Sequence, residues 1–228
     1  VSSIDLDTIL AGMLACLIKG YKQTYDAHEY FTEMEELAER KFIKAAWKFI
    51  ERITVPYIKH GYTVSEGYAH LFKQNFGVDY KIVRNATVLN DKINRPAEEN
   101  IILYQGAVNY GRGLLQLVEA MHKVDATLLI CGDGDLYDEV AQKIDEEHLH
   151  KRVKLLGYIQ PKELKKYTNS AKIGITLFEA KGLSNKYSMA NRFFDYMHAG
   201  VPQLAMSYPD YQSFKSKYEV AKLLDELE

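Results

Sequence analysis

The chain has 228 residues, 47% hydrophobic and 26% charged, with a formal net charge of −2 at pH 7. That is the make-up of one large globular domain or two small ones, and it argues against a dedicated nucleic-acid binder, which carries a basic stripe. The longest apolar run, residues 9–18, is broken by Gly12 and falls short of the roughly 18 residues a membrane span needs. Cys16 and Cys131 each sit in an apolar run and read as small buried hydrophobes in a reducing, cytoplasmic setting.

From the N-terminus, residues 10–18 read as a helix and, after Gly20, residues 22–27 as a strand. Thr32 and Glu35 spell a capping box. Apolar residues then recur at helical spacing from Met34 to Ile53, until Pro56, so one long helix is predicted there. A short strand over 62–65, a helix over 66–75 and a strand over 81–84 follow. Residues 89–100 are polar, contain Pro96 and lack periodicity, so they read as a linker. Two domains result, 1–88 and 101–228. In the second, strands over 101–105, 127–131, 153–156, 173–177 and 203–206 alternate with helices over 114–122, 136–147, 162–170 and 190–199. An acidic helix is expected over 215–228. The chain starts on Val1 and that last helix has no closing signal, so a piece of a longer protein is expected. Short, wholly apolar strands between amphipathic helices indicate an α/β fold with parallel sheets covered on both faces.

In doubly wound sheets ligands sit beyond the carboxyl ends of the strands. The loop from Gly106 to Gly113 allows close backbone approach, and Arg112 suits a phosphate at the following helix. A plain Gly-rich turn with an exposed Arg is the ordinary alternative. In the next loop Gly132-Asp133-Gly134 forms a tight turn, with Asp135 placed to cap the next helix. The third loop holds Tyr158 ahead of Pro161, whose backbone suits the edge of a base. The helix opening with Asn191, Arg192 and Asp195 can set all three on one face, and it ends at Gly200 before Pro202. A solvated helix face is the competing reading. His28 stands at the end of the second strand, where a hydrogen-bonded structural histidine is the ordinary case. Neither glycine cluster completes a dinucleotide fingerprint, and there is no Gly-Lys-Ser/Thr phosphate loop.

Together these segments resemble the retaining glycosyltransferases of family 4, the group 1 family, which have two Rossmann-like domains in the GT-B architecture. The segment Asn191-Arg-Phe-Phe-Asp-Tyr-Met-His-Ala-Gly-Val-Pro202 is similar to the family's Pro-Asn-Lys-Leu-Phe-Glu-Tyr followed by Ala-Gly-x-Pro. Tyr104 to Gly113 resembles its first donor-domain loop, and Ile130 to Gly134 its Gly-x-Gly turn. Tyr25-Asp-Ala-His-Glu29 resembles the strand end whose His faces the donor sugar. The resemblance implies donor contacts from Gly106, Arg112, Tyr158, Asn191, Arg192 and Asp195. Asp195 would take the ribose hydroxyls, and His28 would orient the sugar or assist proton movement. Tyr187 stands where many members carry a further Glu, and Asp195 replaces the usual Glu. The family size, roughly 300 to 400 residues for two domains, implies that both domains are incomplete in this chain.

The implied activity is a hexosyltransferase-like, metal-independent transfer. A sugar would pass from a UDP-, GDP- or ADP-sugar to a glycan or lipid-linked acceptor, with retention, in polysaccharide or cell-envelope biosynthesis. No cofactor beyond the donor and no metal is implied. A nucleotide-sugar epimerase of the same fold and a non-catalytic nucleotide-sugar binding subunit are the alternatives. The expected setting is the cytoplasm or the inner face of the membrane. The basic residues between Lys41 and Lys59 leave a peripheral membrane contact open, a solvated helix face being their ordinary reading.

Overall fold

The computed structural model describes residues 1–89, 100–179 and 181–227. They fall into two units, Val1–Asn85 with Ala180–Met189, and Ala86–Glu179 with Ala190–Glu228. The second sequence domain is therefore not continuous: residues 181–189 pack with the first unit. The expected linker over 89–100 lies outside the described residues except at its ends.

In the first unit, β1 (Ser2–Ile4), β2 (Thr24–Ala27), β3 (Gly61–Thr63) and β4 (Lys81–Ile82) form a parallel sheet in chain order. The helices are α1 (Ile9–Lys19), α2 (Lys41–Thr54) and α3 (Glu66–Phe76). Ser65 starts α3 by accepting the Tyr68 amide at 3.1 Å, and Gly77 ends it in the left-handed conformation. Tyr25, Tyr68, Phe72, Leu6 and Ile9 form the buried centre. The predicted capping box does not act as one. Phe31–Glu33 and Glu35–Leu37 are separate 3-10 turns with Met34 extended between them, and α2 begins only at Lys41. The Thr32 hydroxyl donates instead to the Glu51 carboxylate inside α2, at 2.9 Å.

In the second unit β5 (Ile101–Gln105), β6 (Thr127–Cys131), β7 (Val153–Gly157), β8 (Ile173–Thr176), β9 (Gln203–Met206) and β10 (Ala221–Leu224) are all parallel. Their order is β7-β6-β5-β8-β9-β10. The chain winds outward from β5 on one side, then returns to β5's other edge and winds the opposite way. The switch point is thus between β5 and β8. The connections carry α4 (Leu114–Ala120), α5 (Tyr137–Glu146), α6 (Pro161–Ser170), α7 (Leu183–Tyr187), α8 (Asn191–His198) and α9 (Pro209–Lys217). Of these, α7 belongs to the first unit. Leu128 and Ile130 enter one apolar cluster, whereas Leu129 and Cys131 enter the other. Alternate residues of β6 thus face opposite sides, both covered, which is why the strand reads as a continuous apolar run.

Two further local features matter. The helix expected over 215–228 is replaced by the end of α9 at Lys217 and by β10, which pairs with β9 from Ala221↔Gln203 to Leu224↔Met206. Tyr196 of α8, fully buried, lies flat over Gly174 of β8, where a Cβ would come within 2.5 Å of its ring. Its hydroxyl donates to the Leu103 carbonyl at 2.9 Å. Gly200, at φ 63°, ends α8 as its sequence position implies, with the Val201 amide bonded to the Tyr196 carbonyl at 2.8 Å.

Candidate active site

The carboxyl ends of β5 and β8, together with the first turns of α8, bring Gln105, Gly106, Arg192 and Asp195 together. Arg192 is 9% exposed. Its Nη1 donates to the Gln105 carbonyl and its Nη2 to the Leu177 carbonyl, each at 3.4 Å. Its guanidinium lies 4.9 Å above the Tyr104 ring. Nε–H is buried with no hydrogen-bond partner. Gly106 makes this placement available, since a Cβ there would come within 2.7 Å of Arg192 Nη1. The one-face reading of α8 is therefore corrected: Asn191 is exposed, Arg192 turns inward, and Asp195 is half-buried between them. Adjacent helix positions differ by about 100°, and the sheet captures Arg192 because strand-end carbonyls and an aromatic face can take its charge.

Asp195 accepts two hydrogen bonds, from Thr87 Oγ1 at 2.8 Å and from Gln105 Nε2 at 2.9 Å. Gln105 Oε1 in turn accepts from Thr168 Oγ1 at 2.8 Å. These groups line a cavity of about 120 Å³ beside α6 and α8, with Leu164 and His198. Full ligand pockets start near roughly 300 Å³, so the cavity has room for a ring-sized fragment. Neither Gln105 nor Thr168 was legible as a partner of Asp195. The only sequence signal was a polar residue closing the apolar strand 101–105.

The neighbouring loops are held by backbone. The Gly106 amide donates to the Cys131 carbonyl at 3.0 Å, and the Val108 amide to that of Asp133 at 2.9 Å. A Cβ on Gly132 would overlap the Gly106 carbonyl, so this glycine lets the two loops touch. Asp135 does not cap α5; its amide donates to Asn109 Oδ1 at 3.1 Å. Arg112 is half-buried, with its guanidinium 5.9 Å from the Phe178 ring just beyond β8, so it stands near the switch point. Tyr158 is 73% exposed, after β7, two strands from β5.

In the first unit His28 belongs to a separate cluster at the ends of β1 and β2. Asp5, at φ 52°, directs its carboxylate back to accept the His28 and Glu29 amides at 3.0 and 3.3 Å. Burial raises the Asp5 carboxyl above its usual range, although these amides oppose the rise. His28 Nε2 lies 3.0 Å from Asp26 Oδ1 without the alignment of a hydrogen bond. Asp26 Oδ2 accepts from the Tyr62 hydroxyl at 2.8 Å, and that bond raises the phenol's pKa. Tyr187, where the family places an acid, packs against this unit's apolar core.

A family model described as glycosyl transferases group 1 matches residues 86–209, more than half of the chain. An uncharacterized glycosyltransferase of Methanocaldococcus jannaschii is 29% identical over 116 residues, 48% of this chain and 28% of that protein. Among solved structures, TarM of S. aureus, in complex with UDP and glycan ligands, matches at TM-score 0.74 and 17% identity, covering 99% of this chain and 45% of TarM. Anabaena HepE in complex with UDP matches at 0.74 and 14%, covering 99% and 65%. Sucrose-phosphate synthase of Thermosynechococcus elongatus matches at 0.77 and 17%, covering 99% and 61%. The chain thus spans under a third of the sequence relative and about half to two thirds of these structures. These likenesses and the two parallel sheets give the GT-B fold class, and the chain belongs to the group 1 glycosyltransferase family.

Proposed function

We propose that this chain works in a glycosyltransferase that moves a hexose-type sugar from a nucleoside diphosphate sugar to a glycan or lipid-linked acceptor, with retention and without a metal. The observation that carries this reading is the buried Arg192 with a spare Nε–H, beside Asp195, at the switch point of a doubly wound sheet. TarM and HepE, which share the fold, were solved with UDP. In this reading Arg112 and Arg192 offset the negative charge that grows on the leaving diphosphate, as fixed cations in a dry site do best. Asp195 exchanges its Thr87 contact for a ribose hydroxyl while Gln105 holds its other oxygen. Asn191 and Tyr158, both exposed, reach the diphosphate and the base. His28, steadied through its amide by Asp5 and flanked by Asp26, orients the sugar or assists proton movement at the acceptor.

A thermal-shift panel with UDP, GDP, ADP and their sugars tests the reading. The expected outcome is a rise in melting temperature with one nucleotide family and release of that nucleotide when an acceptor extract is added. No shift with any of them, together with a shift by NAD, would overturn the assignment. Tyr187 packed in the first unit's core offers no carboxylate at the family position, which favours one further reading, a subunit that binds the donor without turning it over. Nucleotide binding with no release in the same assay would select that reading.

A further inference from the structure

The apolar side of α2 points outward. Phe42, Phe49 and Ile53 recur at spacings of seven and four, which is one stripe of a helix. They are 94%, 64% and 43% exposed. The opposite side carries the polar groups inward: Glu51 and Thr54 are buried, and Trp47 and Ile50 pack on the core. This inverts the usual surface helix, whose charged side faces water. The edge of the stripe is cationic. Residues 40–60 contain Arg40, Lys41, Lys44, Lys48, Arg52 and Lys59, against the single carboxylate of Glu51, which is buried. The chain as a whole carries −2, so this positive charge is concentrated on one element. Lys44 and Lys48 pair with Glu33 at 2.9 and 2.7 Å. Lys41 and Arg52, both exposed, stand three turns apart along one border of the stripe.

We propose that the outward face of α2 seats the protein on an anionic lipid bilayer, with the helix lying in the plane of the headgroups. The aromatic stripe would enter the boundary between headgroups and acyl chains while Lys41 and Arg52 meet lipid phosphates. Fourteen residues make a helix of about 21 Å, long enough to lie on a membrane and too short to cross roughly 30 Å of hydrocarbon. Among the described residues no helix is long and apolar enough to cross. A second copy fits the face less well, because a two-fold contact would set Lys41 and Arg52 against their own copies. The inference is independent of the donor site.

The test is flotation of the 228-residue chain with vesicles of phosphatidylglycerol in phosphatidylcholine, and with phosphatidylcholine alone. Binding is expected to the anionic vesicles and to weaken at about 0.5 M salt. Lys41→Gln and Arg52→Gln should each lower the partition coefficient about fivefold, and Phe42→Ser with Phe49→Ser by at least about tenfold. None of these should change the melting temperature, since the side chains are exposed. No anionic binding, equal binding to neutral vesicles, or unchanged binding by the Phe variant would overturn the proposal. So would a dimer in sedimentation that the Phe substitutions dissolve, or a lowered melting temperature, which would mean that protein covers the stripe.

Discussion

Arg192 is a cation placed where water is scarce and its partners are weak. Its two hydrogen bonds, at 3.4 Å, are longer than the ordinary 2.7–3.2 Å, and a third N–H has none. A buried charge held this loosely stabilises the fold little, and an apolar replacement of similar size is often neutral or better. Arg192→Met should therefore leave the denaturation midpoint unchanged or raised, while weakening UDP binding on the order of tenfold or more. Calorimetric titration and urea melts together check this; unchanged affinity would make Arg192 purely structural. Asp195→Ala has the opposite signature. It strips Thr87 and Gln105 of their acceptor, costs about 1–2 kcal/mol of stability, and should abolish the nucleotide-induced thermal shift. A shift of normal size in that variant would remove Asp195 from the ribose role. The sequence singled out both residues because an amphipathic helix with polar first turns followed a strand end. It did not show that Arg192 faces the sheet, since that depends on which side of α8 Tyr196 docks.

At the scale of elements, what the sequence makes legible is the alternation of apolar strands with amphipathic helices, because covered parallel strands need long apolar runs. The strands from 101 to 206 follow from that pattern. The stretch 31–37 does not, because Thr32 has two available partners and only tertiary packing brings Glu51 to it. Glu51 is 4% exposed, and burial is the main cause that raises its carboxyl to about 7. The Thr32 bond and Lys48 lower it only in part, and Glu33 raises it further. The folded state therefore holds this proton more tightly than the unfolded chain, whose carboxyl titrates near 4.5. Stability should fall as pH rises from about 4.5 to about 7, by on the order of 2–3 kcal/mol from this group. Urea midpoints of the parent chain and of Glu51→Gln on either side of that window measure it. The Gln variant should be flatter with pH and more stable above the window; parallel curves would refute the burial argument. Docking of α8 gives a second element-scale expectation. Gly174→Ala puts a methyl 2.5 Å from the Tyr196 ring and should cost about 1–3 kcal/mol by overpacking, read as a lowered midpoint without loss of the parallel-sheet circular dichroism.

Over the whole molecule, each unit has its own buried core: Tyr25, Tyr68 and Phe72 in the first, and the two faces of the six-stranded sheet in the second. The boundary was only partly legible, because the crossing at Asn85 is followed by a return of 181–189 to the first unit, where the Tyr68 hydroxyl donates to the Ser184 carbonyl at 2.7 Å. No composition change marks that return. The proposed donor contacts other than His28 all lie in the second unit, so ligand linkage should be uneven. A nucleotide at one hundred times its Kd stabilises the state that binds it by about 2.7 kcal/mol. Peptides from β5, β8 and α8 should then exchange their amide hydrogens up to about a hundredfold more slowly with UDP, wherever exchange needs the second unit to open. Peptides from β2, β3 and α3 should keep their rates. Uniform slowing of both sets would mean that the units open together, and slowing confined to the first would move the nucleotide site to the strand ends around His28.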